Sequence, residues 1–301
     1  MLAYLISAYT DPDHLARLIA ALDHEADFYV HVDANVDDAP FRRLLPKKVH
    51  FVPRHHVSWG GWKQVAYQYE LIKAVINSGR DYTHLVCLSA QDYPLWSNHR
   101  IHTFFIEHQD TEFIGGYNLS HTDNQDQLRK ITHYHPFRDL PLRNRWLKNK
   151  LVVASRTLLS ICGLRRRPQV LINGVRRDIY FGSDYWAITL DCARYVKKVL
   201  DTNPALVRYF RTTFVPSEMC IQTIVYNSSF GTRAQLYKGS FPGLVRLTPL
   251  HYLYYKGSVK ALTMDDWKVI QESGKMFCRK VVSNVSDSLM NTIDAERSIT
   301  K

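Results

Sequence analysis

Glu218 stands in Phe214-Val215-Pro216-Ser217-Glu218-Met219-Cys220-Ile221-Gln222-Thr223-Ile224. A proline halts the preceding structure, a serine offers a helix N-cap, and a carboxylate opens an apolar run. Such a carboxylate either decorates the positive end of a helix dipole or serves as a buried base. Asp33 closes the apolar run Tyr29-Val30-His31-Val32-Asp33. At the C-terminal end of a strand, a carboxylate is suited to receive a sugar hydroxyl or a base N–H. Trp59-Gly60-Gly61-Trp62 pairs glycines that let backbone approach a ligand, or that simply turn the chain. Phe181-Gly182-Ser183-Asp184-Tyr185-Trp186 puts small residues before aromatic rings that can stack on a sugar.

Leu88-Ser89-Ala90-Gln91-Asp92-Tyr93-Pro94-Leu95 is a strand running into a polar turn. Many nucleotide-sugar transferases carry Asp-x-Asp there, to hold a divalent cation. This chain has Ser89, Gln91 and Asp92 instead, and its literal Asp-x-Asp, Asp11-Pro12-Asp13, is explained by helix capping. No metal site is therefore expected. Lysine or arginine can neutralise a diphosphate in place of a metal. The C-terminal part supplies Lys256, Lys260, Lys275, Arg279 and Lys280, with Tyr252, Tyr254 and Tyr255 interleaved. A solvated basic face accounts for the same pattern.

The elements that must position these groups alternate. Strands are expected at Ala3–Ala8, Phe28–Asp33, Val49–Val52, His84–Ser89 and Phe113–Tyr117, with helices at Asp11–Asp23 and Lys63–Asn77 between them. This pattern predicts βαβ units and a Rossmann-like, mostly parallel sheet flanked by helices. Ligands bind such sheets beyond the strand C-termini, so Ala8, Asp33 and Ser89 to Asp92 are expected to line one crevice. No GxGxxG or Walker A loop is present. Further on, a helix is expected near Leu151–Leu164, a strand at Tyr180–Leu190, and helices at Cys192–Leu200, after Glu218 and at Trp267–Lys280. One domain over 1–284 is expected, with 134–177 as a basic insertion or lid. Residues 285–301 read as a polar tail that frays.

The chain of 301 residues is 46% hydrophobic and 22% charged, which excludes disorder. Five scattered cysteines suggest neither zinc nor a disulfide framework, and read as free thiols in a reducing compartment. No signal peptide or transmembrane run is visible, so a cytoplasmic location, with peripheral attachment to a membrane, is expected. The net charge is +11. From Arg129 to Arg177 there are 13 Lys and Arg and one acidic residue, Asp139. That segment suits an anionic membrane surface or an acidic glycan. Nucleic acid is not an expected partner, because no helix-turn-helix or RNP pattern accompanies the charge.

Taken in order, Tyr29–Asp33, Trp59–Gly61, Leu88–Leu95, Phe181–Thr189, Pro216–Thr223 and Phe277-Cys278-Arg279-Lys280 resemble the core-2/I-branching β-1,6-N-acetylglucosaminyltransferase family, which includes the peptide O-xylosyltransferases. The resemblance runs from about Leu2 to Val281. It implies a GT-A-type fold and an inverting, metal-independent transfer from a UDP-sugar, with UDP-GlcNAc the family default and UDP-xylose, UDP-galactose or UDP-glucose as alternatives. It implies a glycan or lipid-linked glycan acceptor, and suggests a bacterial member acting in surface polysaccharide synthesis. A non-catalytic nucleotide-sugar binder of the same fold is the competing expectation. By resemblance Glu218 is the base, Ile6, Ala8, Asp33, Trp59 and Gly60 lie on the nucleotide side, and Lys280 binds the diphosphate. Either Lys256 or Lys260, with Lys260 preferred, completes the clamp. Asp92, Gly182, Ser183, Asp184, Tyr185, Arg129 and Lys130 are placed toward the substrate. The family usually has a histidine near Ala8, which is missing here.

Overall fold

The first strand alternates between two cores. Ala3 and Leu5 of β1 (Leu2–Ala8) join one apolar cluster, while Leu2, Tyr4, Ile6 and Ala8 join the other. A strand buried on both faces lies inside a sheet covered by helices on either side. The computed structural model describes residues 1–142 and 144–299.

The chain continues through α1 (Pro12–Leu22), β2 (Ala26–Val32), α2 (Ala39–Leu44), β3 (His50–Phe51), α3 (Lys63–Asn77) and β4 (His84–Ser89). Next come β5 (Asp92–Pro94), α4 (Asn98–Glu107), β6 (Glu112–Asn118), α5 (Gln125–Thr132), α6 (Arg145–Ile161), β7 (Gln169–Ile172) and β8 (Val175–Asp178). The remainder is β9 (Tyr180–Phe181), β10 (Ala187–Thr189), α7 (Leu190–Thr202), α8 (Pro204–Phe210), α9 (Cys220–Tyr226), β11 (Ala234–Tyr237), β12 (His251–Leu253), β13 (Tyr255–Lys256), β14 (Ser258–Val259), α10 (Trp267–Glu272), β15 (Phe277–Arg279) and α11 (Asp287–Ile299).

The main sheet runs β11-β6-β10-β4-β1-β2-β3, with β9 also paired to β6. β1 is parallel to β2 and β4, and β2 is parallel to β3. β10 is antiparallel to both β4 and β6. A small sheet, β12-β15-β5, stands beside it. The mostly parallel, helix-flanked sheet expected from the alternating pattern is present. Because β1, β2 and β4 are parallel, their C-termini share one edge. Asp33 N donates to the Ala8 carbonyl at 2.8 Å and Ala90 N to that of Ser7 at 2.8 Å, which brings the three strand ends together.

Several local expectations differ from the structure. The strand expected over Tyr180–Leu190 is two strands, because the chain leaves the sheet between Phe181 and Ala187. The helix expected over Trp267–Lys280 ends at Glu272. Gly274 (φ +63°) turns the chain, and Phe277–Arg279 enters the small sheet between β12 and β5. The stretch after Asn284, expected to fray, holds helix α11, which buries Leu289, Met290 and Ile293; Thr300 and Lys301 lie outside the described residues. A short apolar face inside a polar stretch is enough to dock a helix on a ready core. Among the described residues, no helix is long and apolar enough to cross a membrane.

Candidate active site

Glu218 does not open a helix directly. It ends a 3-10 turn, Pro216–Glu218, and α9 begins two residues later. The expected N-cap, Ser217, turns the other way: its hydroxyl donates to Asp184 Oδ2 at 3.2 Å. Val215 just before the turn has φ +53° and ψ +54°. A β-branched residue there is strained by about 1–2 kcal/mol. The strain is held by neighbours. Val215 N donates to the Gly60 carbonyl at 3.1 Å, and Gly60 N donates to Gln64 Oε1 at 2.7 Å. Gly60 is itself left-handed (φ +74°), and a Cβ on it would sit 2.7 Å from Phe214 Cε2. The glycine lets two loops touch, so the Trp59-Gly60 turn is a wall of the Glu218 site.

A second brace comes from the loop between β9 and β10. Gly182 N donates to the Glu218 carbonyl at 2.8 Å, and Gln222 Nε2 of α9 donates to the Ser183 carbonyl at 2.8 Å. A Cβ at Gly182 would drive into the Gly115 carbonyl oxygen. This loop carries Asp184 and Tyr185 to the site.

The Glu218 carboxylate is half-buried and accepts no hydrogen bond among the described residues. Burial, reinforced by the nearby charge of Asp184 and opposed by Lys130, pushes its pKa up to about 8. Asp184 is pushed up to about 6 by burial, with Ser217, the neighbouring Gln68 amide and Arg279 pulling it back. One of its oxygens, Oδ1, is buried without a hydrogen-bond partner. Lys130, from α5, lies with its Nζ 4.6 Å from the centre of the Phe181 ring. Burial lowers its pKa and the Glu218 charge partly restores it. Glu218, Asp184 and Lys130 thus form one coupled group of three titratable side chains. A carboxyl poised near neutrality, reachable from solvent and free of donors, can exchange a proton.

Asp92 has a different place. It is fully buried, with Oδ1 taking Arg279 Nη1 at 2.9 Å, Oδ2 taking Ser89 N at 2.7 Å, and His251 Nε2 at 3.2 Å from Oδ2. Burial alone would raise its carboxyl, but Arg279 and His251 outweigh that and hold it below the usual range. Asp92 therefore anchors Arg279 rather than lining an opening. The Arg279 guanidinium lies 4.8 Å over the Tyr185 ring, and Tyr185 packs on His251 at 5.0 Å. Ile6 is also fully buried, paired with Val30 and Leu88, so its side chain faces no opening.

At the strand-end edge, Asp33 Oδ1 accepts from Asn35 N and Nδ2, both at 2.9 Å, and from Val57 N at 3.2 Å. Oδ2 accepts no hydrogen bond among the described residues. Arg54 braces this turn through the carbonyls of Val32 and Asp33. Lys280 and Lys260 are neighbours through backbone, with Lys280 N donating to the Lys260 carbonyl at 3.4 Å. The Lys260 ammonium is engaged with Asp266 at 2.7 Å. Lys256 is exposed, next to the Gly257 turn of the β13–β14 hairpin. Arg129 is exposed and paired with Asp126 at 3.3 Å, so the two adjacent basic residues part: Lys130 faces the Glu218 group and Arg129 does not. The cavity of about 530 Å³ lined by residues such as His24, Asn98 and Arg297 shares no residue with this site. Among the described residues, no three His, Cys, Asp or Glu side chains group as a metal-binding set.

Sequence reasoning missed Gln68, Gln222 and the anchoring role of Arg279. Gln68 is readable in retrospect. It lies on the buried stripe of α3 with Val65, Leu71, Ile72 and Val75, where a fully buried amide asks for a partner. Arg279 gives no such signal, because its partner Asp92 is 187 residues away.

Comparison of the sequence with known proteins points to one family. The rat (Rattus norvegicus) protein named xylosyltransferase 2 is 24% identical over 223 residues, covering 71% of this chain and 23% of its own length. Xylosyltransferase 2 of the mouse (Mus musculus) aligns with the same identity and coverage. The chain thus spans about a quarter of the curated relatives it matches. The family profile described as Core-2/I-Branching enzyme covers residues 2–293, which takes in the sheet, the Glu218 turn and most of α11. This chain belongs to the Core-2/I-branching enzyme family and has its GT-A-like fold.

Proposed function

We propose that this protein moves a sugar from a UDP-sugar to a glycan hydroxyl in a single inverting displacement that uses no divalent metal. The observation that carries this reading is the half-buried, donor-free Glu218 carboxyl beside Asp184 and Lys130. The acceptor hydroxyl attacks the anomeric carbon as the bond from that carbon to the diphosphate oxygen breaks. The hydroxyl proton passes to Glu218, and UDP leaves with the bonding electrons. The approach is opposite the leaving group, so an α-linked donor gives a β-linked product. Glu218 must come within about 3 Å of the attacking oxygen.

Negative charge then grows on the departing diphosphate, and fixed cations stabilise it. Lys280 is assigned to that task, with Lys260 or Lys256 as second cation. Lys260 would first have to leave Asp266, while Lys256 is exposed without an ion pair among the described residues. Asp33, through Oδ2, is assigned to the nucleotide, together with Ala8, Trp59 and Gly60. Gly182, Ser183, Asp184, Tyr185 and Lys130 border the sugar and the acceptor. GlcNAc is the favoured donor sugar, with xylose, galactose and glucose as alternatives. The net charge of +11 suits an anionic setting for the acceptor, such as a glycan on a lipid carrier in bacterial surface polysaccharide synthesis.

The test is Glu218→Gln, read by UDP release across a panel of UDP-sugars. The variant is expected to fold and bind UDP while losing about 10²–10⁴-fold in kcat, the range general-base removal typically costs. Near-normal turnover would remove Glu218 from the mechanism. Wild-type activity is expected to persist in excess EDTA, and strict manganese dependence would overturn the cation assignment.

A further inference from the structure

Helix α6 carries an apolar stripe with no partner among the described residues. Leu147, Leu151, Ala154, Leu158 and Ile161 recur at spacings of four, three, four and three, which lines them up on one side of a helix. All five are exposed, Leu158 at 63% and Ile161 at 78%. The helix rests on the protein by another side: Val152 is buried, Ser155 and Leu159 are half-buried, and Lys148 Nζ donates to Ser58 Oγ at 2.6 Å. The stripe is therefore spare surface on a helix already anchored.

Cations frame it. Lys150 and Arg156 of the helix are exposed, as are Arg165 and Arg167 just beyond it and Arg176 and Arg177 on β8. Arg167 and Arg176 share a recess of about 280 Å³ with Arg166, Tyr134 and Tyr209. Trp146, 63% exposed, lies in the first turn of the helix with Lys150 Nζ 3.9 Å from its ring centre. From Arg129 to Arg177 the single carboxylate is Asp139, which turns inward to accept from Lys63 N.

We infer that the exposed face of α6, with the arginines around it, docks on an anionic lipid bilayer, the leucines entering the boundary between headgroups and acyl chains and the cations meeting lipid phosphates. An apolar stripe flanked by Lys and Arg with an aromatic at its edge is the composition of a helix that lies in a membrane interface. Charge selects this occupant over a second copy of the chain, since two such faces would set Lys150, Arg156, Arg165, Arg167, Arg176 and Arg177 against the same cations of the other copy. A soluble acidic glycan would engage the arginines and leave the leucines in water. Docking also orients the site. Lys148 ties α6 to Ser58, next to Trp59 and Gly60, so the docked helix adjoins a wall of the Glu218 site. The inference rests on the surface alone and stands apart from the assignment of Glu218.

The test is co-sedimentation of the full chain with vesicles of phosphatidylcholine alone, or mixed with phosphatidylglycerol. Wild type is expected to pellet with the mixed vesicles and not the neutral ones, and to be released as salt is raised. Leu151→Glu/Leu158→Glu and, separately, Arg167→Glu/Arg176→Glu are each expected to lower the partition coefficient by about tenfold or more, with an unchanged melting temperature. Absence of wild-type binding at low salt would overturn the inference, as would unaltered binding of the leucine variant. So would a wild-type dimer that the leucine variant makes monomeric. Binding to a soluble acidic polysaccharide without vesicle binding would equally overturn it.

Discussion

Glu218 and Asp184 are carboxyls kept protonated at pH values where carboxyls are ordinarily ionised, and Lys130 is a lysine whose pKa burial lowers. Each is shifted first by burial; Glu218 is then raised further by Asp184 and lowered by Lys130, so its titration depends on both neighbours. As a base, Glu218 must be ionised, so kcat/KM should rise with pH along a limb near 8 in the free enzyme. Asp184→Asn removes a negative neighbour and should move that limb to lower pH. Lys130→Met removes a positive one and should move it to higher pH. Profiles of kcat/KM against pH for the three proteins check the signs, and displacement of both limbs in the same direction would contradict the coupling. The same shift acts on folding. Between its ordinary 4.5 and about 8, folded Glu218 holds a proton that the unfolded chain has released. Stability falls as pH rises through that window, and Glu218→Gln should be free of this fall. Melting temperatures of the two proteins should therefore diverge with pH, the variant being the higher.

At the scale of elements, the site depends on two loops gripping a strained turn. Gly182→Ala is expected to cost about 1–3 kcal/mol, since its methyl meets a backbone carbonyl that cannot rotate away. It should also lower kcat, because Gly182 N holds the Glu218 carbonyl. Urea denaturation and steady-state rates measure the two effects. The parallel strands were legible from sequence because β1, β2 and β4 are continuous apolar runs separated by helical spacing. The strand C-termini placed Ala8 and Asp33 on one edge for the same reason. The alternation could not show that Ile6 points inward, since both faces of β1 are apolar. Nor could it show that Ser217 serves Asp184 instead of a helix end, because that contact spans 33 residues. The neighbours Arg129 and Lys130 read alike as residue types, and only the last turn of α5 separates their directions. Short strands such as β15 were invisible for a further reason: three residues carry no period of their own, and β15 exists because β12 and β5 bracket it.

For the whole molecule, α11 is structural. Besides its three buried apolar side chains, Asp294 accepts from Tyr93 and pairs with Arg17 at 2.7 Å, and Arg297 Nη2 donates to the Ala21 carbonyl. Burial of three such side chains is worth about 1.5–3 kcal/mol each, against a net stability of about 5–15 kcal/mol for a typical domain. A chain ended after Asn284 is therefore expected to lose most or all of its cooperative unfolding transition, as circular dichroism on heating would record. Full retention of the transition would make α11 an appendage. The fold is otherwise held by long-range pairs, the Asp92–Arg279 ion pair among them. Residues 11–21 have their outer partners at Ser283, Asn291, Asp294 and Arg297. Helix α1 thus leaves the ribosome long before that side is covered, Ser283 lying 272 residues after Asp11. Until then its Arg17 and the apolar surface meant for α11 stand in solvent, available to a chaperone or to another nascent chain.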